Sequence, residues 1–446
     1  IYLGVSRVTG SAAHPEIDGA GETIDWAVRM RRFDARAILS SQVEKIDASL
    51  IDDLAEQVAA FHLAIAKAPA GMSGGAQAAC APMRQNFEQI AQFVPSRADA
   101  MGPLSAWTEE ACERLAAVMS RRHEDGFTRE GHGDLHLGNV ALIDGSPVVF
   151  DAIEFNPAFR WIDVINDIAF LVMDLTRRGL EPLAQRFLNR YLESTGDFDG
   201  LRLLALYCVY RALVRAKIAA IRVSQLDRAA AERVSVEREL DGYLQLAGEL
   251  AQRSANRGGI VLMHGVSGSG KSVVAQALAD SLYAVTVRSD VERKRLLGLQ
   301  PADDAAAHAG YRREVTESTY RRLLDVAAMI AGAGYVAIVD ATFLSRARRD
   351  CFGQLARKRR LPFAIVACDA AKEVLVERIR ARSTRADNVS DADLDVLSSQ
   401  LADREPVAAD EADRVWTVSP TQDLDVVAIR QFFAKREDEQ TRLSRG

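Results

Sequence analysis

Apolar positions along the chain fall into two rhythms that meet near residue 252. From Ile1 to Phe33 apolar and polar residues alternate, and "IYLGV" and "IDWAVRMRRF" read as paired strands turned at Gly19–Gly21. From Ser40 to Ala66 the period is helical, with Ile51, Leu54, Val58, Phe61 and Ile65 at three- and four-residue spacings. Pro69 to Pro82 reads as a Gly/Ala-rich loop, and more helix follows through Met119. Val140–Ile143 and Val148–Phe150 flank Asp144-Gly145, which predicts a hairpin. Helices are predicted from Trp161 to about Ala251.

The stretch "QRSANRG", Gln252 to Gly258, is polar and aperiodic, and the domain boundary is placed there. Beyond it, apolar strand candidates alternate with helices: Ile260–Met263, Ala284–Val287, Tyr335–Val339 and Phe363–Ala367. That rhythm predicts an α/β domain with a parallel sheet covered by helices. The expected domains are 1–252 and 258–446.

Composition narrows the class. Of 446 residues, 48% are hydrophobic and 26% charged, as in a globular protein. The net charge of −6 gives nucleic acid and membrane surfaces no electrostatic support as main partners. No run approaches the ~18–20 apolar residues of a membrane span. The five Cys show no CxxC spacing, so zinc and redox motifs lack support, and a reducing cytosol is the simplest compartment. Only eight of the 56 basic residues are Lys, which makes each Lys more informative.

Gly265-Val266-Ser267-Gly268-Ser269-Gly270-Lys271-Ser272 fits G-x-x-x-x-G-K-[ST] in full. It follows an apolar strand and precedes a helical pattern from Val273 to Leu282. Glycines let backbone N–H groups wrap a phosphate, and the helix N-terminus adds positive potential. Lys271 is expected to reach the β- and γ-phosphates of ATP, and Ser272 to ligate Mg²⁺. Asp290, in "VRSDVERKRL", ends the second strand. It either accepts a proton from an acceptor hydroxyl or caps the next helix. Asp340 ends the third strand in "VAIVDATF" and is a candidate for the Mg²⁺ shell. Arg378, Arg380 and Arg382 recur in "EVLVERIRAR", as a phosphate clamp or as a solvated face. Together these motifs resemble the small P-loop kinases, the group including gluconate kinase, polynucleotide 5′-kinase and zeta-toxin-type kinases. The resemblance implies that Asp290 is the acceptor-side acid and that Arg378 and Arg382 belong to a mobile lid.

The first half carries a second signature, "GHGDLHLGNV", with Asp134 and Asn139 five residues apart. That is the spacing of H-R-D-x-x-x-x-N, and Asp151 follows at the end of the predicted hairpin. Phosphoryl transfer needs one carboxylate for the hydroxyl proton and an amide plus a second carboxylate for metal. Asp134 is the base candidate, and Asn139 and Asp151 are the metal candidates; His132 is read as packing beneath the loop. The region resembles the aminoglycoside phosphotransferase and choline-kinase-like superfamily. It implies an α+β protein-kinase-like domain with a mostly helical C-lobe. His136 stands where protein kinases carry a Lys. "FDAIEFNPAFRWIDVINDIAFLVMDL" is similar to two-domain bacterial proteins that join such a domain to a C-terminal P-loop domain. In it, Asp163 and Asp167 either buttress the catalytic loop or form a solvated helix face.

A kinase of this fold needs a Lys paired with a Glu over the α- and β-phosphates. "WAVRMRRF" offers Arg29 in its place, which is not an equivalent. In the preferred alignment, "IYLGV" and "WAVRMRRF" are later N-lobe strands, the second entering the hinge near Met30–Phe33. The Lys and Glu are then expected before Ile1. The whole reads as a cytoplasmic, Mg-ATP-dependent phosphotransferase acting on a small-molecule hydroxyl, with the P-loop domain the active half. The alternative is a nucleotide-binding regulatory module with slow ATP hydrolysis. Neither the acceptor nor the oligomeric state is legible.

Overall fold

The computed structural model describes residues 1–72, 74–227, 231–254, 258–299, 303, 312–383, 394–408, 410–419 and 424–434. Strands β1 (Tyr2–Ser11), β2 (His14–Ile17) and β3 (Thr23–Met30) form an antiparallel sheet in the order β2-β1-β3. The paired strands are as expected, but β1 runs on past Val5 and turns into a strand the alternation did not reveal. The predicted helix from Ser40 is confined to α1 (Ala48–Ala64). Short 3-10 turns precede it, and Asp47 starts it by accepting a hydrogen bond from Leu50 N at 2.9 Å.

The loop expected over Pro69–Pro82 is shorter than predicted. Helix α2 (Gly75–Phe93) holds Pro82 within it. Ala76, Ala78, Ala79 and Ala81 are strong helix formers, and Cys80 and Met83 are buried, which offsets the hydrogen bond that Pro82 cannot donate. Helix α3 (Gly102–Glu124) packs beside α2, and Cys80 and Cys112 are bonded between them, with Cα atoms 6.2 Å apart. Their spacing of 32 residues resembles no short motif, so the pairing was invisible in the sequence.

Strand β4 (Thr128–Glu130) is followed by the catalytic-type loop and the hairpin β5 (Val140–Ile143) and β6 (Ser146–Val149). Asp144 and Gly145 both have positive φ, 51° and 81°, the backbone of a two-residue type I′ turn. Then come α4 (Pro157–Arg160) and β7 (Trp161–Asp163), which pairs with β4. The helical C-lobe is α5 (Val164–Arg177), α6 (Glu181–Thr195), α7 (Leu201–Gln225) and α8 (Ala231–Arg253).

The second domain opens with β8 (Gly259–His264) and α9 (Lys271–Leu282), then β9 (Val285–Arg288), α10 (Ser289–Leu296) and α11 (Arg313–Gly332). After these follow β10 (Val336–Asp340), α12 (Arg346–Arg359), β11 (Phe363–Cys368), α13 (Lys372–Ser383), α14 (Leu394–Ala402) and β12 (Arg414–Val418). All strands are parallel, in the order β12-β11-β8-β10-β9. The four expected strands are present, and β12 is a fifth. Along β8, Ile260 and Leu262 pack in one apolar cluster and Val261 and Met263 in another, so both sheet faces are covered.

The first cluster is continuous with the core of the helical lobe, because α6 packs on α9 and β9. There, Asn189 and Gln185 serve the edge of the second sheet. The Asn189 side chain donates to Ala284 O at 3.0 Å and accepts from Thr286 N at 2.9 Å, and Gln185 donates to Ala284 O at 2.9 Å. Strand β9 is an edge strand, and these amides satisfy backbone groups that no neighbouring strand reaches. Replacing Asn189 with Ala leaves Thr286 N without its acceptor. We expect a loss of about 1–3 kcal/mol of unfolding free energy. Urea unfolding read by circular dichroism checks this; an unchanged midpoint would contradict the edge-pairing role.

Candidate functional site

In the first domain, the loop from His132 to Asn139 hangs from a buried carboxylate. Asp167, on the first turn of α5, is 0% exposed. It accepts from His132 N at 2.7 Å, Gly133 N at 3.0 Å and His62 Nε2 at 3.2 Å. Tyr191 OH lies 2.8 Å from His62 Nδ1 and extends the chain from Asp167 to Tyr191. Burial by itself would raise the Asp167 pKa. The hydrogen bond from His62 and the charges of His62, His132 and Arg211 outweigh burial and bring it to about 2. Two turns on, Asp174 accepts from Leu137 N at 3.0 Å. Asp163 caps α5 and forms a two-pronged pair with buried Arg122, which also holds Asp197. Of the two readings for Asp163 and Asp167, the solvated face is thus excluded by burial.

Asp134 and Asn139 meet as their spacing anticipates. Asn139 Nδ2 donates to Asp134 O and Oδ2, each at 3.0 Å. His136 Nδ1 accepts from Gly138 N at 3.0 Å, which leaves the proton on Nε2, 3.5 Å from Asp134 Oδ2. Burial opposes ionisation of Asp134, but the His136 contact, with Arg211 and Asn139, holds its pKa below the ordinary value. His132 Nε2 donates to Phe150 O at 2.8 Å, and Phe150 N donates to Asn139 O at 3.0 Å. These bonds bring Asp151, the next residue, back toward the loop. Asp151 has φ 64°, and its N–H donates to Tyr2 OH at 2.9 Å. A non-glycine residue with left-handed backbone marks a constrained position.

The second site lies at the carboxyl ends of β8 and β10, where the sheet order places β8 between β10 and β11. A cavity of about 1000 Å³ opens there, lined by Gly268, Lys271, Ser272, Asp290, Asp340 and Arg378 among others. Gly265 and Gly268 have φ of 146° and 84°, and a Cβ on Gly265 would stand 2.4 Å from Cys368 O. Glycine is required there by both conformation and space. Ser272 Oγ donates to Asp340 Oδ2 at 2.6 Å, and Lys271 Nζ donates to Val266 O at 2.9 Å. Asp290 lies in the first turn of α10, so it is not the residue that caps it. Arg378 Nη1 donates to Gly268 O at 3.2 Å; the side chain of Arg382 lies outside the described residues.

Several contributors escaped the sequence reading. Gln400 of α14 accepts from Ser267 N at 2.7 Å, the kind of bond a phosphate oxygen makes with such a loop. Arg288, at the end of β9, stands between Glu193 of α6 at 3.3 Å and Asp340 at 4.0 Å. Arg349, 1% exposed, pairs with Glu411 and donates to Phe343 O at 2.8 Å, fixing the backbone after Asp340 where Phe343 has φ 46°. Arg211 donates to Gly133 O at 2.9 Å from within α7. Its charge in the apolar run "LYCVYRALV" is the one signal that was available. Among the described residues no three His, Cys, Asp or Glu side chains converge as a metal cage. Ser272 and Asp340 can hold a cation that takes its remaining oxygens from phosphates and water, as Mg²⁺ does.

Residues 12–204 match the model of the Phosphotransferase enzyme family, and residues 260–407 match that of the AAA domain. The protein is therefore a phosphotransferase-class enzyme, with a phosphotransferase domain followed by a nucleotide-binding P-loop domain of kinase type. Uncharacterized proteins of Mycobacterium bovis and Mycobacterium tuberculosis are each 28% identical over 411 residues, covering 90% of this chain and 78% of the relative. Among solved structures, a sugar kinase from a Janibacter species is 22% identical, covering 41% of this chain and 95% of its own, with a TM-score of 0.29. A gluconokinase from Sinorhizobium meliloti is 20% identical, covering 42% and 97%, with a TM-score of 0.28. No helix among the described residues is long and apolar enough to cross a membrane.

The depressed Asp167 pKa links to stability with a definite sign. The ionised carboxylate stabilises the fold above its unfolded pKa of ~3.9, and this contribution fades as pH falls toward about 2. Its size is about 2–3 kcal/mol. Asp167→Asn is expected to be less stable than the parent at pH 6, with the gap shrinking between pH 5 and pH 2. Denaturant midpoints across that range measure it; a gap independent of pH would refute the assignment.

Proposed function

We propose that the P-loop half transfers the γ-phosphoryl group of Mg-ATP to a hydroxyl of a small molecule. The observation that carries this reading is the contact of Ser272 with Asp340 in the cavity that Asp290 also lines. Loop amides and Lys271 would hold the phosphates, and Ser272 and Asp340 would hold Mg²⁺. The ion supplies charge neutralisation at the transferring phosphate when bound. Asp290 accepts the hydroxyl proton, and Arg378, already against Gly268 O, stabilises charge on the phosphate together with Arg382. Phosphoryl transfer is mostly positioning and electrostatics, which this set of residue types can supply.

In the first domain, Asp134 would be the base, and Asn139 and Asp151 the metal ligands. We take the P-loop half as the active one, because its loop, the Ser272–Asp340 contact and Asp290 share one cavity. We assign residues 1–252 and 258–446 to the two domains. Supply of Mg-ATP favours a cytosolic setting.

Three variants in a phosphate-transfer screen against metabolite hydroxyls test this proposal. Lys271→Ala should lower acceptor-dependent ADP formation on the order of 10²–10³-fold. Asp290→Asn should lower kcat on the order of 10²–10⁴-fold with little change in the KM for ATP. Asp134→Ala should leave that activity in place. Full turnover in Lys271→Ala, or ADP formation independent of any acceptor, would reject the assignment.

A further inference from the structure

The first domain contains a second cavity, of about 320 Å³, which the P-loop reading does not use. Asp134 lines it, so a molecule inside would present its hydroxyl to that carboxylate. The volume lies within the range of small-molecule sites, about 300–1000 Å³. Its walls are mainly apolar and aromatic. Phe155, Phe159 and Trp161 stand on one side, and Tyr210, Val214 and Ile218 of α7 recur on the other at helical spacing.

The ionic groups of this cavity are unequally engaged. Asp163 is held by Arg122 at 2.8 and 3.0 Å. Arg211 donates to Asn166 O at 3.1 Å and Gly133 O at 2.9 Å, and its guanidinium lies 5.0 Å from the Phe170 ring centroid, while its buried Nη2 has no hydrogen-bond partner. Arg215 has Glu239 at 3.7 Å. Lys217 is different: it is partly buried and has no ion pair or hydrogen bond to any described residue. Burial lowers its pKa, and no carboxylate counters that shift. A half-buried ammonium on a cavity wall, with no protein carboxylate beside it, can receive an anion from a bound molecule. A polar orphan lies in the same wall. Asn166 Oδ1, in a residue 6% exposed, has no hydrogen-bond partner, and buried acceptors in native structures rarely stay unpaired.

We propose that this cavity is an acceptor site selective for hydroxyl compounds with a flat apolar body and an anionic group, the hydroxyl at Asp134 and the anion on Lys217. Arg211, which touches the Asp134 loop, and Lys217 are six positions apart on α7, about 9 Å of helix rise. A molecule with a hydroxyl and a carboxylate at opposite ends of one aromatic ring spans that interval. A polycationic acceptor would instead meet Lys217, Arg211 and Arg215, while Asp134 already contacts Asn139 and His136. This site goes beyond the P-loop assignment and is independent of its success.

Calorimetric titration of the full chain without nucleotide tests the proposal with three matched probes. These are para-(hydroxymethyl)phenylacetate, its neutral amide and the corresponding amine, para-(hydroxymethyl)phenethylamine. The carboxylate should bind on the order of tenfold more tightly than the amide, with the amine weakest. Lys217→Gln should abolish the preference for the carboxylate while leaving amide affinity within about twofold, and Lys217→Arg should keep it. Equal binding of all three, tightest binding of the amine, no binding of any probe, or a preference surviving in Lys217→Gln would overturn it. Dependence on Lys217 also separates this site from the cavity of the P-loop half, which Lys271 lines.

Discussion

A single ionised carboxylate, sealed from water, governs how the first domain presents its chemistry. Asp167 has no route to solvent, so its charge must be met within the protein. Two loop amides and an imidazole meet it, and in doing so they fix the backbone on which Asp134 stands. The loop is irregular, and it sets a carboxylate and an amide side by side with Asp151 returning from the hairpin. Irregular backbone leaves N–H groups without secondary-structure partners, and Asp167 and Asp174 are the acceptors that make this arrangement tolerable.

The P-loop half meets the same problem in reverse. Its loop must keep amides available for phosphate, so glycines shape it and the support comes from below. Buried Arg349 grips the carbonyls after Asp340, and His264 Nδ1 lies 3.1 Å from Phe343 O. Burial, opposed by the bond to Phe343 O and aided by nearby positive charge, depresses the His264 pKa to about 4, so this support is neutral. Helix α6 then joins the halves. Its amides complete the edge of β9, and its Glu193 reaches Arg288 beside Asp340. The P-loop half therefore presents its site on a scaffold that the helical lobe helps to build.

Legibility followed sequence distance. The phosphate-binding loop was complete in eight consecutive residues, and Asp134 and Asn139 were five apart, so spacing revealed them. The hairpin at Asp144-Gly145 was equally local, because positive φ restricts which residues can stand there. Strand β12 was missed because "RVWTV" is short and follows no clear turn signal. Helix α2 was missed at its start because Gly and Pro usually end helices, whereas here packing of Cys80 and Met83 outweighs that tendency. The Cys80–Cys112 pair joins two helices whose adjacency no local pattern encodes.

The sequence by itself determined the order of the two domains, the parallel sheet of the second, and the residue types that handle phosphate. These rest on short-range constraints: backbone conformation at glycine, periodic burial, and fixed spacing within a loop. Tertiary structure decided which of the many charged side chains are committed and which are left over. Arg122, Arg211, Arg288 and Arg349 look alike in the chain as surface charges, yet each is tied to groups distant in sequence. Lys217 resembles them in sequence and differs only in having no partner among the described residues. Charge compensation acts across space, and no local pattern specifies which carboxylate or carbonyl will arrive beside a given cation.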